Sequence, residues 1–202
     1  MRSVARLILV CGAAAVLTAL CPCSAAGDAL WGTGLCFPSA EVGLEGYYEY
    51  CYHISWDTSE YGGAGLSHST IYLALAECVC ACEPGYFEHR VPAGVGVGVD
   101  DCELDFLSEF DCAGDPHFPV DGPTMKFEPI EDECEPGTVG WMHVCYYSLF
   151  PPTASTTFAD HLAIKFGTNV ELGDLEGVLP YCECDPNPVN MSSWGTIKSL
   201  YR

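Results

Sequence analysis

The sequence predicts an all-β protein: a two-sheet antiparallel β-sandwich, stapled by disulfides and carrying a long acidic loop. Three observations predict it. Six to nine short stretches alternate apolar and polar residues with the period of two that a half-buried strand requires. No stretch has the pattern of a three-turn helix and no βαβ alternation appears, which leaves two packed sheets as the expected arrangement. Eleven cysteines follow an export signal, so an oxidising compartment supplies covalent staples.

The export signal comes first. Arg2 and Arg6 precede an apolar run from Leu7 to Leu20. That run is about 14 residues, short of the roughly 20 that a spanning helix needs. Ser24-Ala25-Ala26 offers small residues at a cleavage site, so residues 1–26 read as a signal peptide. Residues 27–185 then form a single domain and 186–202 a C-terminal tail. Cys11, Cys21 and Cys23 each lack the small preceding residue that lipid anchoring requires. The expected location is extracellular or periplasmic, with no membrane insertion after cleavage.

Processing leaves Cys36, Cys51, Cys78, Cys80, Cys82, Cys102, Cys112, Cys134, Cys145, Cys182 and Cys184, all expected in disulfides whose connectivity stays open. Eleven is odd, so one thiol is left over or pairs with another chain. The formal charge is -21 and becomes -23 once Arg2 and Arg6 are lost. A field of that sign repels phosphate backbones and anionic lipid, which excludes nucleic acid as a partner. A protein or carbohydrate partner remains.

The elements follow in order. Residues 27–46 are Gly-rich and aperiodic and read as an extended lead-in. Tyr47–Trp56 is the first firm strand, with Tyr48, Tyr50, Tyr52, Ile54 and Trp56 on one face. Residues 57–65 read as a turn. Ser69–Cys82 reads as a strand that runs into Cys78, Cys80 and Cys82, three thiols on one face. Tyr86–Val91 is a short strand, and the Gly-Val repeat from Gly94 to Val99 an edge strand or loop. Residues 100–135 hold thirteen carboxylates and four prolines against Lys126. They read mostly as loop, with a helical turn at Glu103–Phe110 and a strand at Thr124–Ile130. Thr138–Leu149 is apolar on both faces, Phe158–Phe166 alternates, and Val170–Leu179 supplies one more short strand.

Motifs with chemical content are few. The Cys78/Cys80/Cys82 row is read as a disulfide anchor; a zinc site completed by Cys182 and Cys184 is the alternative. Asp100, Asp101, Glu103 and Asp105 are the calcium candidate, because calcium takes six to eight hard oxygens, although the EF-hand glycine is missing. Asp111, Asp115 and Asp121 lie in the same acidic region. No other cofactor is expected. There is no G-x-S-x-G, no H-E-x-x-H and no phosphate-cradling glycine loop. Ser67 and His68 are adjacent on a strand and so face opposite ways. The Tyr48/Tyr50/Tyr52/Trp56 face reads as packing in preference to a sugar platform, and Asn190-Met-Ser192 matches a glycosylation acceptor.

Cys80-Ala-Cys82-Glu-Pro-Gly85-Tyr86 resembles the closing half of an EGF-like module, but the flanking cysteine spacing departs from that family and nothing is carried over from it. Tyr50–Trp56, the Gly-rich turn, Leu66-Ser-His68 and the alternating strand ending at Cys78 together resemble the opening of the Ig-like β-sandwich of exported bacterial surface and secreted proteins of unassigned function. The resemblance implies a sandwich fold and export, and assigns no site residue. The expected function is a non-catalytic extracellular or cell-surface interaction or structural protein. A secreted hydrolase or carbohydrate-binding module is the alternative.

Overall fold

The structure, a computed structural model, describes residues 30–61, 64–73, 75, 82, 84–118, 122–130 and 134–182. The signal peptide, the tail, Cys78, Cys80, Cys184, Asp121 and the glycosylation acceptor lie outside these residues.

The described residues form nine strands: β1 (Leu30–Pro38), β2 (Tyr48–Asp57), β3 (Leu66–Tyr72), β4 (Phe87–Val97), β5 (Glu103–Asp111), β6 (Thr124–Pro129), β7 (Val139–Ser148), β8 (Thr156–Phe166) and β9 (Asn169–Gly177). Among the described residues helix is confined to single 3-10 turns such as Ser59–Tyr61 and Val99–Asp101. The sheet closes on itself in the order β1-β2-β7-β4-β5-β6-β3-β8-β9. This corrects the expected two-sheet sandwich. A sandwich has free edges, whereas here every strand has a hydrogen-bonded neighbour on both sides.

Parity explains the closure. Strands that alternate in direction around a ring must be even in number, so nine strands force at least one parallel seam. That seam is β1 against β9, with Trp31, Gly32 and Thr33 opposite Asp174, Leu175 and Glu176. All the other pairs are antiparallel. The seam runs through small residues. A Cβ on Gly34 would sit 2.6 Å from the Tyr52 ring, and Gly177 holds φ +129 while its α-carbon region meets the Gly34 carbonyl. Both positions therefore need glycine.

The interior is filled. Tyr50, Tyr52 and Ile54 from β2, Phe106 from β5, Met125 and Phe127 from β6, Tyr146 from β7 and Phe166 from β8 are all buried in one cluster. Tyr146 stacks on Tyr50 at 5.5 Å and on Tyr52 at 5.8 Å. A hydroxyl buried without a partner costs about 1–3 kcal/mol, and these are satisfied. Tyr50 donates to the Phe150 carbonyl at 2.8 Å, Tyr52 donates to the Val178 carbonyl at 3.2 Å, and the Tyr52 and Tyr146 hydroxyls meet at 3.1 Å. Burial pushes all three phenols far above their ordinary range. The tyrosine face of β2 is thus interior packing and not a sugar platform.

Three local readings change as well. The lead-in contains β1, a nine-residue strand. Glu103–Phe110 belongs to strand β5, where Leu104 and Phe106 point inward between exposed Glu103, Asp105 and Glu109. The Gly-Val repeat lies in β4, flanked by β7 and β5, so it is no edge.

Three disulfides are defined. Cys51–Cys145 bridges directly opposed residues of β2 and β7 across 94 residues of sequence. Cys102–Cys134 and Cys82–Cys112 tie the β5 region to its flanks. Cys182 is also disulfide-bonded. With Cys82 and Cys182 committed in this way, the alternative zinc set of thiolates is removed. Among the described cysteines Cys36 is free.

Three stability outcomes are expected. Replacing Cys51 and Cys145 together by alanine lowers the unfolding free energy by about 2–4 kcal/mol in a urea titration, because the long loop is released in the unfolded chain. Tyr146→Phe costs about 1 kcal/mol, since Tyr52 keeps its carbonyl partner. Tyr146→Ala costs about 3–5 kcal/mol by opening the centre of the barrel.

Candidate functional site

The barrel's polar chemistry is on its outer wall. A bulge between Leu66 and His68 in β3 resets the alternation, so that Leu66 and Ile71 join the interior while His68, Thr70 and Tyr72 lie on the outside. These outer residues are nevertheless buried, because the segment from Asp115 to Phe118, between β5 and β6, folds back over them. Phe118 sets its edge against His68 at 5.5 Å and against Tyr72 at 6.2 Å. Together with Ala163 of β8 it makes a second, smaller apolar cluster outside the barrel wall.

Asp115 lies between two imidazoles in this pocket. Its Oδ2 is 2.9 Å from His68 Nε2 and accepts from the Thr70 hydroxyl at 3.2 Å. Its Oδ1 accepts the His117 backbone N–H at 3.0 Å and meets His117 Nδ1 at 3.0 Å. The Asp115 and His68 side chains are 3% and 4% exposed, whereas His117 is 52% exposed. Burial opposes ionisation of Asp115, but the His117 donors, the His68 ring and the Thr70 hydroxyl outweigh it and hold the carboxyl below the usual range. Burial pushes His68 below its ordinary value despite the carboxylate beside it.

A second cluster lies on the outer faces of β2 and β7. His53 and His143 are directly opposed, Trp141 stacks on His53 at 5.6 Å, and His143 Nε2 approaches the Cys145 sulfur at 4.0 Å. Burial and the neighbouring His143 lower the His53 imidazole. Cys51, His143 and Cys145 have the spacing of a metal-binding trio, but both sulfurs are spent in the disulfide.

The calcium candidates are not brought together. Asp100 and Asp101 lie in a single turn with φ near +60, while Glu103 and Asp105 project outward from β5. Among the described residues, the trios whose ligand atoms lie within 4.8 Å of one another are the spent one and His68/Asp115/His117. In the sequence Asp115 is one acid among the many of residues 100–135, and His68 stands far from it. The Asp115-Pro-His117 spacing was visible, but its meeting with His68 depends on how the β5–β6 connection folds.

Comparison with known protein families, curated proteins and solved structures finds no match to this chain.

Cys36 faces inward beside Tyr50, its cross-strand neighbour, and burial raises its thiol above the ordinary 9.0. Because the folded chain holds this proton more tightly than the unfolded one, the associated stability is present below the unfolded pKa and is lost at alkaline pH. Iodoacetamide therefore alkylates Cys36 in the native chain at least about tenfold more slowly than in the denatured chain at pH 7.5. The native rate keeps climbing beyond pH 9.0. Rapid native labelling at neutral pH would contradict this placement.

Proposed function

We propose that this chain is an exported, non-catalytic interaction module that engages a basic extracellular partner on the outer wall of its barrel. The observation that carries this reading is the outward row of β5, where Glu103, Asp105, Glu109 and Asp111 share one face with Leu107. The described cations are Arg90, Lys126 and Lys165, and two of them are already paired, Arg90 with Glu49 and Lys126 with Glu128. The β5 row is thus an acidic ridge of four carboxylates met by one neighbouring cation, Lys126, which stands opposite Glu109 and is shared with Glu128, and fields of one sign steer oppositely charged partners.

Further features support the reading. An interior packed with tyrosines and phenylalanines offers no lumen to a ligand, which favours recognition on the outside. A membrane-spanning barrel turns an apolar band outward and a polar lining inward, the reverse of the polarity here. The disulfides mark an oxidising, extracellular type of environment, and among the described residues no helix is long and apolar enough to cross a membrane. The hydrolase alternative keeps one observation in its favour, the two imidazoles and carboxylate gathered at the border of solvent.

Binding of a lysine-rich peptide tests the reading. The Glu103→Gln, Asp105→Asn, Glu109→Gln, Asp111→Asn variant is expected to weaken binding by at least about tenfold, with a reduced salt dependence. Neutralising Glu41, Glu45, Glu171 and Glu176 instead is expected to leave affinity within about twofold. Equal losses in both variants, or no saturable binding by the parent chain, would overturn it.

A further inference from the structure

We propose that His68, Asp115 and His117 form a binding site for one divalent transition-metal ion, best matched to zinc. The donor set is two imidazole nitrogens and one carboxylate oxygen, which suits zinc and its neighbours in the transition series. It does not suit calcium, which takes oxygens in larger number.

The spacing fits. Zinc holds nitrogen and oxygen donors at about 2.0–2.2 Å, so neighbouring corners of a tetrahedron lie roughly 3.3–3.5 Å apart. Here the carboxylate oxygens are 2.9 Å from His68 Nε2 and 3.0 Å from His117 Nδ1, and all the ligand atoms fall within 4.8 Å of one another. An adjustment of a few tenths of an ångström opens the trio around an ion.

An independent observation points to an occupant. His68 Nε2 is fully buried and has no hydrogen-bond partner among the described residues. It is 2.9 Å from Asp115 Oδ2, but the contact lies off the axis along which a ring N–H donates. A buried imidazole nitrogen turned towards a carboxylate, without a hydrogen bond to it, is the arrangement that an ion between the two would satisfy. The surroundings supply the supports that metal ligands use, since the Thr70 hydroxyl and the His117 backbone N–H both orient the Asp115 carboxylate.

The site is open on one side. His68 and Asp115 are enclosed by β3 and Phe118, whereas His117 reaches solvent. Three protein ligands with a solvent-facing side is the pattern of a site that keeps a coordination position for water or for an oxygen ligand of a bound molecule. The ion would also clamp the connection between β5 and β6 onto β3, so occupancy raises thermal stability.

The test uses the tag-free, oxidised chain, stripped of metal and titrated with zinc chloride by calorimetry, with melting temperature as a second readout. The expected result is one equivalent of zinc bound and a rise in melting temperature that a chelator reverses. His117→Ala replaces an exposed side chain and leaves the fold intact, as circular dichroism checks, yet weakens zinc binding by at least about tenfold. Asp115→Asn does the same, and His143→Ala leaves affinity unchanged. No saturable zinc binding by the parent chain would show a trio held by protons alone and overturn the proposal. So would binding that survives in His117→Ala, or that disappears in His143→Ala.

Discussion

Everything in this fold depends on the contact between its first and last strands. Nine strands cannot alternate in direction around a ring, so closure requires β1 to lie parallel to β9. Parallel pairing is slightly the weaker kind per residue, and here it is made across a wall of glycines against which Tyr52 and Leu30 pack. Without it, β1 and β9 would each present a row of unpaired backbone groups to solvent. With it, the interior becomes a sealed core of tyrosine, phenylalanine and branched aliphatic side chains, and all other chemistry is displaced to the outer wall.

That displacement organises the surface. The outer row of β5 collects carboxylates because its alternate positions have no core to enter. The outer face of β3 is covered by the connection between β5 and β6, which brings Phe118 as an apolar cap and Asp115 and His117 as polar contents. The disulfides reinforce the same regions. Cys51–Cys145 locks β2 to β7 on the outside, and the other two hold the chain on either side of the acidic stretch. The pocket at His68 is therefore fixed by a strand of the barrel on one side and, on the other, by a connection stapled at Cys112 where it leaves β5.

Much of the strand content was legible because alternation is a local signal. The tyrosines of β2 and the apolar faces of β7 and β8 announce themselves within ten residues or so. The sandwich and the barrel were indistinguishable at that level, since both ask for one apolar face per strand. The element that decides between them, β1, was hidden because after Leu30 its inward positions are Gly32, Gly34 and Cys36, which carry no apolar period. In β5 the Leu104 and Phe106 alternation was masked by the density of acids. The candidate site was illegible for a different reason: His68 and Asp115 are 47 positions apart in sequence, and their meeting is set by a bulge and a loop, neither of which has a periodic signature.

The closed ring is the claim on which the interior, the outer wall and the pocket all rest. Its most direct measurement is the set of interstrand nuclear Overhauser effects and amide protection factors along Trp31–Thr33 and Asp174–Glu176. The account predicts backbone contacts between Gly32 and Leu175 in parallel register, with amide protection at the seam comparable to that between β2 and β7. Rapidly exchanging amides along both segments, with no contacts between them, would mean an open sheet and would contradict it.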